Sequence, residues 1–203
     1  MIANSRGPET LKDLSTETGA KAVTAEEAAA AEDLVIVTIP EKAVPELPIA
    51  ALSASKATIV DTGNYYPSRD GELKEIVAGL PDSAWVAGVI GHPVIKAFNN
   101  IYSQSLAEKG IPAGSPNRIA LSVAGDDEQQ KKLVMDLIDA IGFDPIDCGS
   151  LSESWKQQPG TPAYCHDLNK EALRAALDQA DDSKREENRK AADDQLRKML
   201  ESN

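Results

Sequence analysis

Cysteine, histidine, aromatic residues and positive charge are all scarce in this chain. Two cysteines in 203 residues, Cys148 and Cys165, form no CxxC and are too few for a disulfide framework. Two reduced thiols in a cytoplasmic protein are the expectation. The two histidines, His92 and His166, lie in no metal-ligand or nucleophile pattern, and zinc, calcium and Walker signatures are missing. No metal site is expected. Lys and Arg total 21 against 33 Asp and Glu, a net charge of −12. That balance argues against nucleic acid and anionic membrane surfaces, but leaves room for a small anion in a local basic pocket. No apolar run reaches transmembrane length. Met1-Ile2-Ala3-Asn4-Ser5-Arg6 lacks the parts of a signal peptide. With 4% aromatics the core must be largely aliphatic.

What is present is organised around Asp33-Leu34-Val35-Ile36-Val37-Thr38-Ile39-Pro40. A short apolar, β-branched run without alternation predicts a parallel strand covered on both faces. Pro40, which cannot donate to a ladder, should end it near a ligand loop. Before it, Gly7-Pro8-Glu9 opens a helix closed by Gly19. Residues 21–24 form a short strand, and Thr24 with Glu27 makes a capping box for the next helix. After it, strands are expected at 57–62, 93–98, 118–124 and 145–148. Helices are expected at about 71–77, 99–109, 128–141 and 169–180, that at 128 capped by Asp126 or Asp127.

Strand alternating with helix predicts a Rossmann-like α/β fold with a parallel sheet. Residues 1–150 form this domain, 151–180 a C-terminal extension, and 181–203 a charged helical tail. The tail reads as a solvated helix with Glu186–Lys190 and Asp193–Arg197 pairs. The sharper alternative is a partner-binding helix using Leu196, Met199 and Leu200.

In dinucleotide-binding folds the end of the second strand reads the adenosine ribose, and a small polar residue with an arginine suits a 2′-phosphate. Asn4-Ser5-Arg6 supplies a hydroxyl and a bidentate guanidinium, although a polar turn is the plainer reading. No acid–base pair stands out. Asp126-Asp127 and Asp181-Asp182 suit helix starts, and Cys165-His166 are merely sequence neighbours.

Ala3-Asn4-Ser5-Arg6-Gly7-Pro8-Glu9-Thr10-Leu11, then Val35-Ile36-Val37-Thr38-Ile39-Pro40, then Lys96-Ala97-Phe98-Asn99-Asn100 resemble the coenzyme F420:NADP oxidoreductase family. Asp61-Thr62-Gly63-Asn64-Tyr65-Tyr66-Pro67 and Trp155-Lys156-Gln157-Gln158-Pro159-Gly160-Thr161-Pro162 resemble segments of its bacterial members. The likeness runs from residue 2 to about 177. It implies hydride transfer between NADP(H) and a second carrier, F420 or flavin-like, or a small-molecule redox substrate.

The resemblance further implies that Asn4, Ser5 and Arg6 hold the 2′-phosphate. Thr38, Ile39 and Pro40 would follow the ribose and diphosphate. Asn64, Lys96 and Asn99 would line the nicotinamide and substrate space. The plainer readings are a solvated strand-end lysine for Lys96 and a helix cap for Asn99. Family members open with a strand and a G-x-G-x-x-G turn, absent here, so a sheet lacking its first strand and phosphate loop is expected. A non-catalytic NADP-binding module and a shortened inactive relative are the rival readings. A homodimer is the expected partner state.

Overall fold

The computed structural model describes residues 1–201. After a single turn at Pro8–Leu11 come α1 (Lys12–Thr18), α2 (Ala25–Ala29) and β1 (Leu34–Val37). Then follow α3 (Ile49–Ser53), β2 (Thr58–Asp61), α4 (Pro67–Asp70), α5 (Lys74–Val77), α6 (Asp82–Ile90) and β3 (Ile95–Lys96). The second half holds α7 (Ser103–Glu108), β4 (Ala120–Val123), α8 (Glu128–Ala140), β5 (Asp144–Asp147), α9 (Lys170–Asp178) and α10 (Arg185–Glu201).

β1, β2 and β3 form a parallel sheet in that order, with Val35 opposite Ile59 and Asp61 opposite Lys96. β4 and β5 form a second parallel pair, joined to the first by the antiparallel bridge of Lys96 with Ala124. Successive residues of β2 point to opposite faces. Ile59 enters a core with Leu52, Tyr65, Val86 and Ile90, while Val60 enters one with Ile95, Leu121, Val134, Ile138 and Phe143. That double coverage is why β2 has no polar face.

Local signals behave as their chemistry requires. Gly19 adopts φ 71° and closes α1 through its N–H to Ser15 O at 2.9 Å. Thr24 and Glu27 form the reciprocal capping box on α2. Asp127, not Asp126, caps α8, and Asp126 instead accepts from the Leu151 N–H at 3.0 Å.

Four expectations change. The strand at 21–24 is reduced to one parallel bridge, Ile2 with Ala22. β1 is not covered on both faces, since Ile36 is 47% exposed at the edge of the sheet. α6 carries no amphipathic stripe, so periodicity misses it, and it lies in the core through Val86 and Ile90. The tail is docked, not solvated. Asp193 accepts from Ser68 N at 2.9 Å and Ser68 Oγ at 2.7 Å, while Arg189 stacks 5.4 Å above the Tyr65 ring. Gly160 lets the α10 backbone approach at Asn188, where a Cβ would collide with the Asn188 carbonyl.

Candidate active site

A cleft of about 920 Å³ opens where the parallel strands end. Thr38 follows β1, Thr62 and Asn64 follow β2, and Phe98 and Asn99 follow β3; all five line it. Crevices outside the carboxyl ends of parallel strands are where such sheets take their ligands. Ile101, Tyr102 and Leu106 form one apolar wall, Leu137 and Ile141 of α8 another, and Ala192, Leu196 and Met199 of α10 the roof. Lining α10 residues explain why the tail has apolar positions at all.

Among the described residues the lining includes no Asp, Glu, Lys or Arg, in a chain where such residues make up 27%. Apart from the His166 imidazole and the Cys165 thiol, its polar side chains are hydroxyls and amides. Thr62 Oγ1 and Thr38 Oγ1 lie 3.1 Å apart. Asn99 Nδ2 donates to Asn64 Oδ1 at 3.0 Å and to Gln157 O at 2.7 Å. Asn99 is 3% exposed and its Oδ1 has no hydrogen-bond partner in the protein. The Tyr66 and Tyr164 hydroxyls stand 2.8 Å apart, with Cys165 alongside. Burial pushes the pKa of both phenols and of the Cys165 thiol up, which disfavours their ionised forms. The shared hydrogen bond works oppositely on the pair, pulling Tyr66 down and pushing Tyr164 up.

Behind the loop at residues 61–71 lies its opposite, a buried charge cluster. Lys96, fully buried, donates from Nζ to Asp61 Oδ2 at 3.1 Å and to the Gly63 carbonyl. Ser83 Oγ donates to the same Asp61 oxygen at 2.6 Å. The Gly63 N–H bonds Asp61 Oδ1 at 2.9 Å, and the Tyr65 N–H bonds Asp82 Oδ2 at 3.1 Å. Burial raises Asp82 and lifts Glu41 to about 8; for Glu41, Lys96 opposes burial while Asp82, Asp61 and Asp70 reinforce it. Arg69 reaches Glu41 Oε2 at 2.8 Å, but its side chain is 31% exposed and screened by solvent. Glu41 is therefore largely protonated near neutrality. Gly63 leaves room for the carboxylates, since a Cβ there would lie 2.5 Å from Glu41 Oε1 and 3.0 Å from Asp61 Oδ1 and force Glu41 to shift.

The structure brings Thr38, Asn64 and Asn99 together in the cleft and leaves Lys96 out of its lining. Lys96 is neither solvated nor in the cleft; it holds the loop from behind. Ile39 and Pro40 follow Thr38 but do not line the cleft. Asn4, Ser5 and Arg6 form a turn beside the Ile2 bridge, where Asn4 Oδ1 accepts from the Arg6 N–H at 2.9 Å. Ser5 and Arg6 are exposed, and the Glu9 carboxylate lies over Gly7 next to them. A phosphate bound by Arg6 would require Glu9 to swing outward. Tyr66, Tyr164 and Cys165 were not singled out from sequence; only spatial assembly over 98 residues joins the two tyrosines. Both cysteines are free, and no cluster of potential metal ligands occurs among the described residues. No described helix is long and apolar enough to cross a membrane.

A parallel sheet with its cleft at the strands' carboxyl ends defines an α/β protein of the Rossmann-like class. Residues 1–65 match the sequence model of the family described as NADP oxidoreductase, coenzyme F420-dependent, so the first third of the chain is similar to that family. The protein YjhV of Escherichia coli (strain K12) is 49% identical over 57 residues, 28% of this chain and 42% of YjhV. The chain thus spans less than half the length of this curated relative. A hypothetical protein of Sinorhizobium meliloti superposes with a TM-score of 0.71 at 28% identity, over 83% of this chain and 82% of that one. A protein from Arthrobacter sp. FB24 described as an F420-dependent NADP reductase shares the fold. Its TM-score is 0.51 at 19% identity, over 65% of this chain and 62% of that one.

Proposed function

We propose that the chain is an NADP-dependent oxidoreductase whose reaction takes place in the neutral cleft. The observation that carries this reading is the lining itself, which among the described residues holds no Asp, Glu, Lys or Arg and offers hydride transfer a shaped chamber in which proximity and orientation can act. A nicotinamide fits there on two counts. The unpaired Oδ1 of Asn99 is a buried acceptor that a carboxamide N–H would satisfy. The two threonine hydroxyls stand at the strand ends where a ribose would pass. When bound, the reduced nicotinamide supplies the hydride. Asn64 and Asn99 orient the ring, Tyr66 and Tyr164 face the acceptor, and α10 keeps water off the reacting atoms. Arg6 with Ser5 and Asn4 would hold the 2′-phosphate once Glu9 moves aside.

The second carrier is F420, a flavin or a small carbonyl or imine. Cytoplasmic residence and a homodimer belong to the same proposal. A binding module without turnover remains the second reading.

The test is titration of the purified chain with NADPH and, as control, NADH, followed by nucleotide fluorescence. Saturable binding that favours NADPH, and a preference lost in Arg6→Ala, supports the reading. Equal or absent binding of the two nucleotides overturns it. Binding of NADPH without its oxidation by any acceptor, flavin included, favours the module.

A further inference from the structure

We infer that Tyr66, backed by Tyr164, is the group that donates a hydrogen bond and then a proton to the acceptor atom of an uncharged, largely apolar carbonyl substrate. The chemical step rests on the reading just given; the binding site does not.

Two observations carry the inference. The first is the phenol pair. Its hydroxyls lie 2.8 Å apart on the wall of the cleft, and both rings are held by the fold. The Tyr66 N–H is tied to Asp70 Oδ2 at 3.0 Å, and the Arg69 guanidinium lies 5.3 Å from its ring centre. Tyr164 precedes Cys165, which adopts φ 52° and donates its N–H to Asn100 O at 3.0 Å. Two phenols share one hydrogen bond, so the second hydroxyl proton is left for a ligand. Tyr164 stabilises the ionised form of Tyr66, which makes Tyr66 the better acid of the two.

The second observation is that the lining, among the described residues, holds no Asp, Glu, Lys or Arg, and His166 is its one basic side chain. An anionic acceptor would find no Lys or Arg in the lining to meet its charge, and burying an unpaired charge is strongly unfavourable. Phe98, Ile101, Leu106 and Leu196 offer apolar surface instead. Neutral donors with apolar walls select an uncharged ketone or a similar carbonyl.

The balance is simple. A hydride from a reduced nicotinamide forms the new C–H bond as the carbonyl π bond breaks. The oxygen takes the Tyr66 proton. Tyr66 recovers a proton from Tyr164, which recovers one from solvent at the mouth of the cleft.

The experiment is carbon-13 NMR of the full chain labelled at tyrosine Cζ, which has only four tyrosines. Methyl benzoylformate, a neutral ketone, is compared with benzoylformate, its anionic counterpart. Expected are saturable shifts of the Tyr66 and Tyr164 signals by the ester, with Tyr65 unmoved. Binding of benzoylformate should be at least about tenfold weaker, and Tyr66→Phe should weaken ester binding about tenfold. Tyr164→Phe, which acts through Tyr66, should move the Tyr66 titration to higher pH. No saturable shift at Tyr66, equal affinity for the two ligands, or an unaltered Tyr66 titration in Tyr164→Phe overturns the inference. With NADPH present, Tyr66→Phe should lower ester-dependent oxidation about a hundredfold in kcat, with a smaller effect on KM. Turnover equal to wild type overturns the proton role. Ester binding as expected with no affinity for NADPH locates the failure in the proposed function alone.

Discussion

The loop at residues 61–71 has two faces, and they are built on opposite electrostatic plans. Its rear face meets Glu41, Asp61, Asp82 and Lys96, all buried, with Lys96 bonded to Asp61, Glu41 to Arg69 and Asp82 to the Tyr65 N–H. Its front face shows Asn64 and Tyr66 to a cleft lined, among the described residues, by no Asp, Glu, Lys or Arg. Buried charge networks are costly unless every member is paired, but when paired they hold a unique geometry. The contrast teaches a division of labour: charge positions the loop, and neutral donors meet the ligand. It also explains why Lys96 is absent from the cleft. A cation at the front would be solvated and free to pair with any anion. At the back it fixes Asp61 and the Gly63 carbonyl, and hence the direction in which Asn64 leaves the strand.

The strongest way to break this contrast is to remove the cation. Lys96→Met leaves Asp61 buried with only Ser83 and a backbone N–H, and should cost about 3–5 kcal/mol in urea denaturation. Adding Asp61→Asn should recover part of that loss, since the unpaired charge is then gone. A cost equal to that of an exposed lysine would mean the pair does not organise the loop.

Glu41 sharpens the contrast through pH. The folded carboxyl keeps its proton up to about 8, while the unfolded chain releases it near 4.5. Between those values the folded state binds more protons. The stability that Glu41 contributes is therefore complete below pH 4.5 and lost as pH rises through about 8. Glu41→Gln should flatten this dependence and, at pH above 8, stabilise the chain by on the order of 2–3 kcal/mol. Denaturation midpoints across that range decide it, and parallel curves for the two proteins would contradict the assignment.

Smaller effects probe the joints. Gly63→Ala inserts a methyl between the two faces and should destabilise by about 1–3 kcal/mol, with weaker ligand binding as the loop shifts. Asp193→Ala removes the acceptor for Ser68 and should cost about 1–2 kcal/mol. Limited proteolysis should then cut α10 sooner while the sheet survives.

Much of the scaffold was legible because its signals are local. The Thr24–Glu27 box, the Gly19 stop and the Asp127 cap each concern residues within a few positions of one another. β2 was readable because burial on both faces leaves an unbroken apolar run. The same rule failed for β1, since an apolar run looks alike whether or not a face is covered, and Ile36 faces the cleft. The tail misled for a related reason. Asp193 and Arg197 have helical pairing spacing, but Asp193 is bonded to Ser68, 125 residues away. At the site, Thr38, Asn64 and Asn99 were found because each follows a strand. Lys96 is the last residue of a strand, and its direction depends on Asp61, 35 positions earlier. The Tyr66–Tyr164 pair has no local signature at all, and only folding makes it a pair.

The most direct measurement is amide chemical-shift mapping of the whole chain on addition of NADPH. The account predicts perturbations at Thr38, Thr62, Asn64 and Asn99 and at the turn carrying Ser5 and Arg6, with Glu41 and Ser83 little changed. Perturbation centred on the charge cluster, or none anywhere at saturating nucleotide, would contradict it.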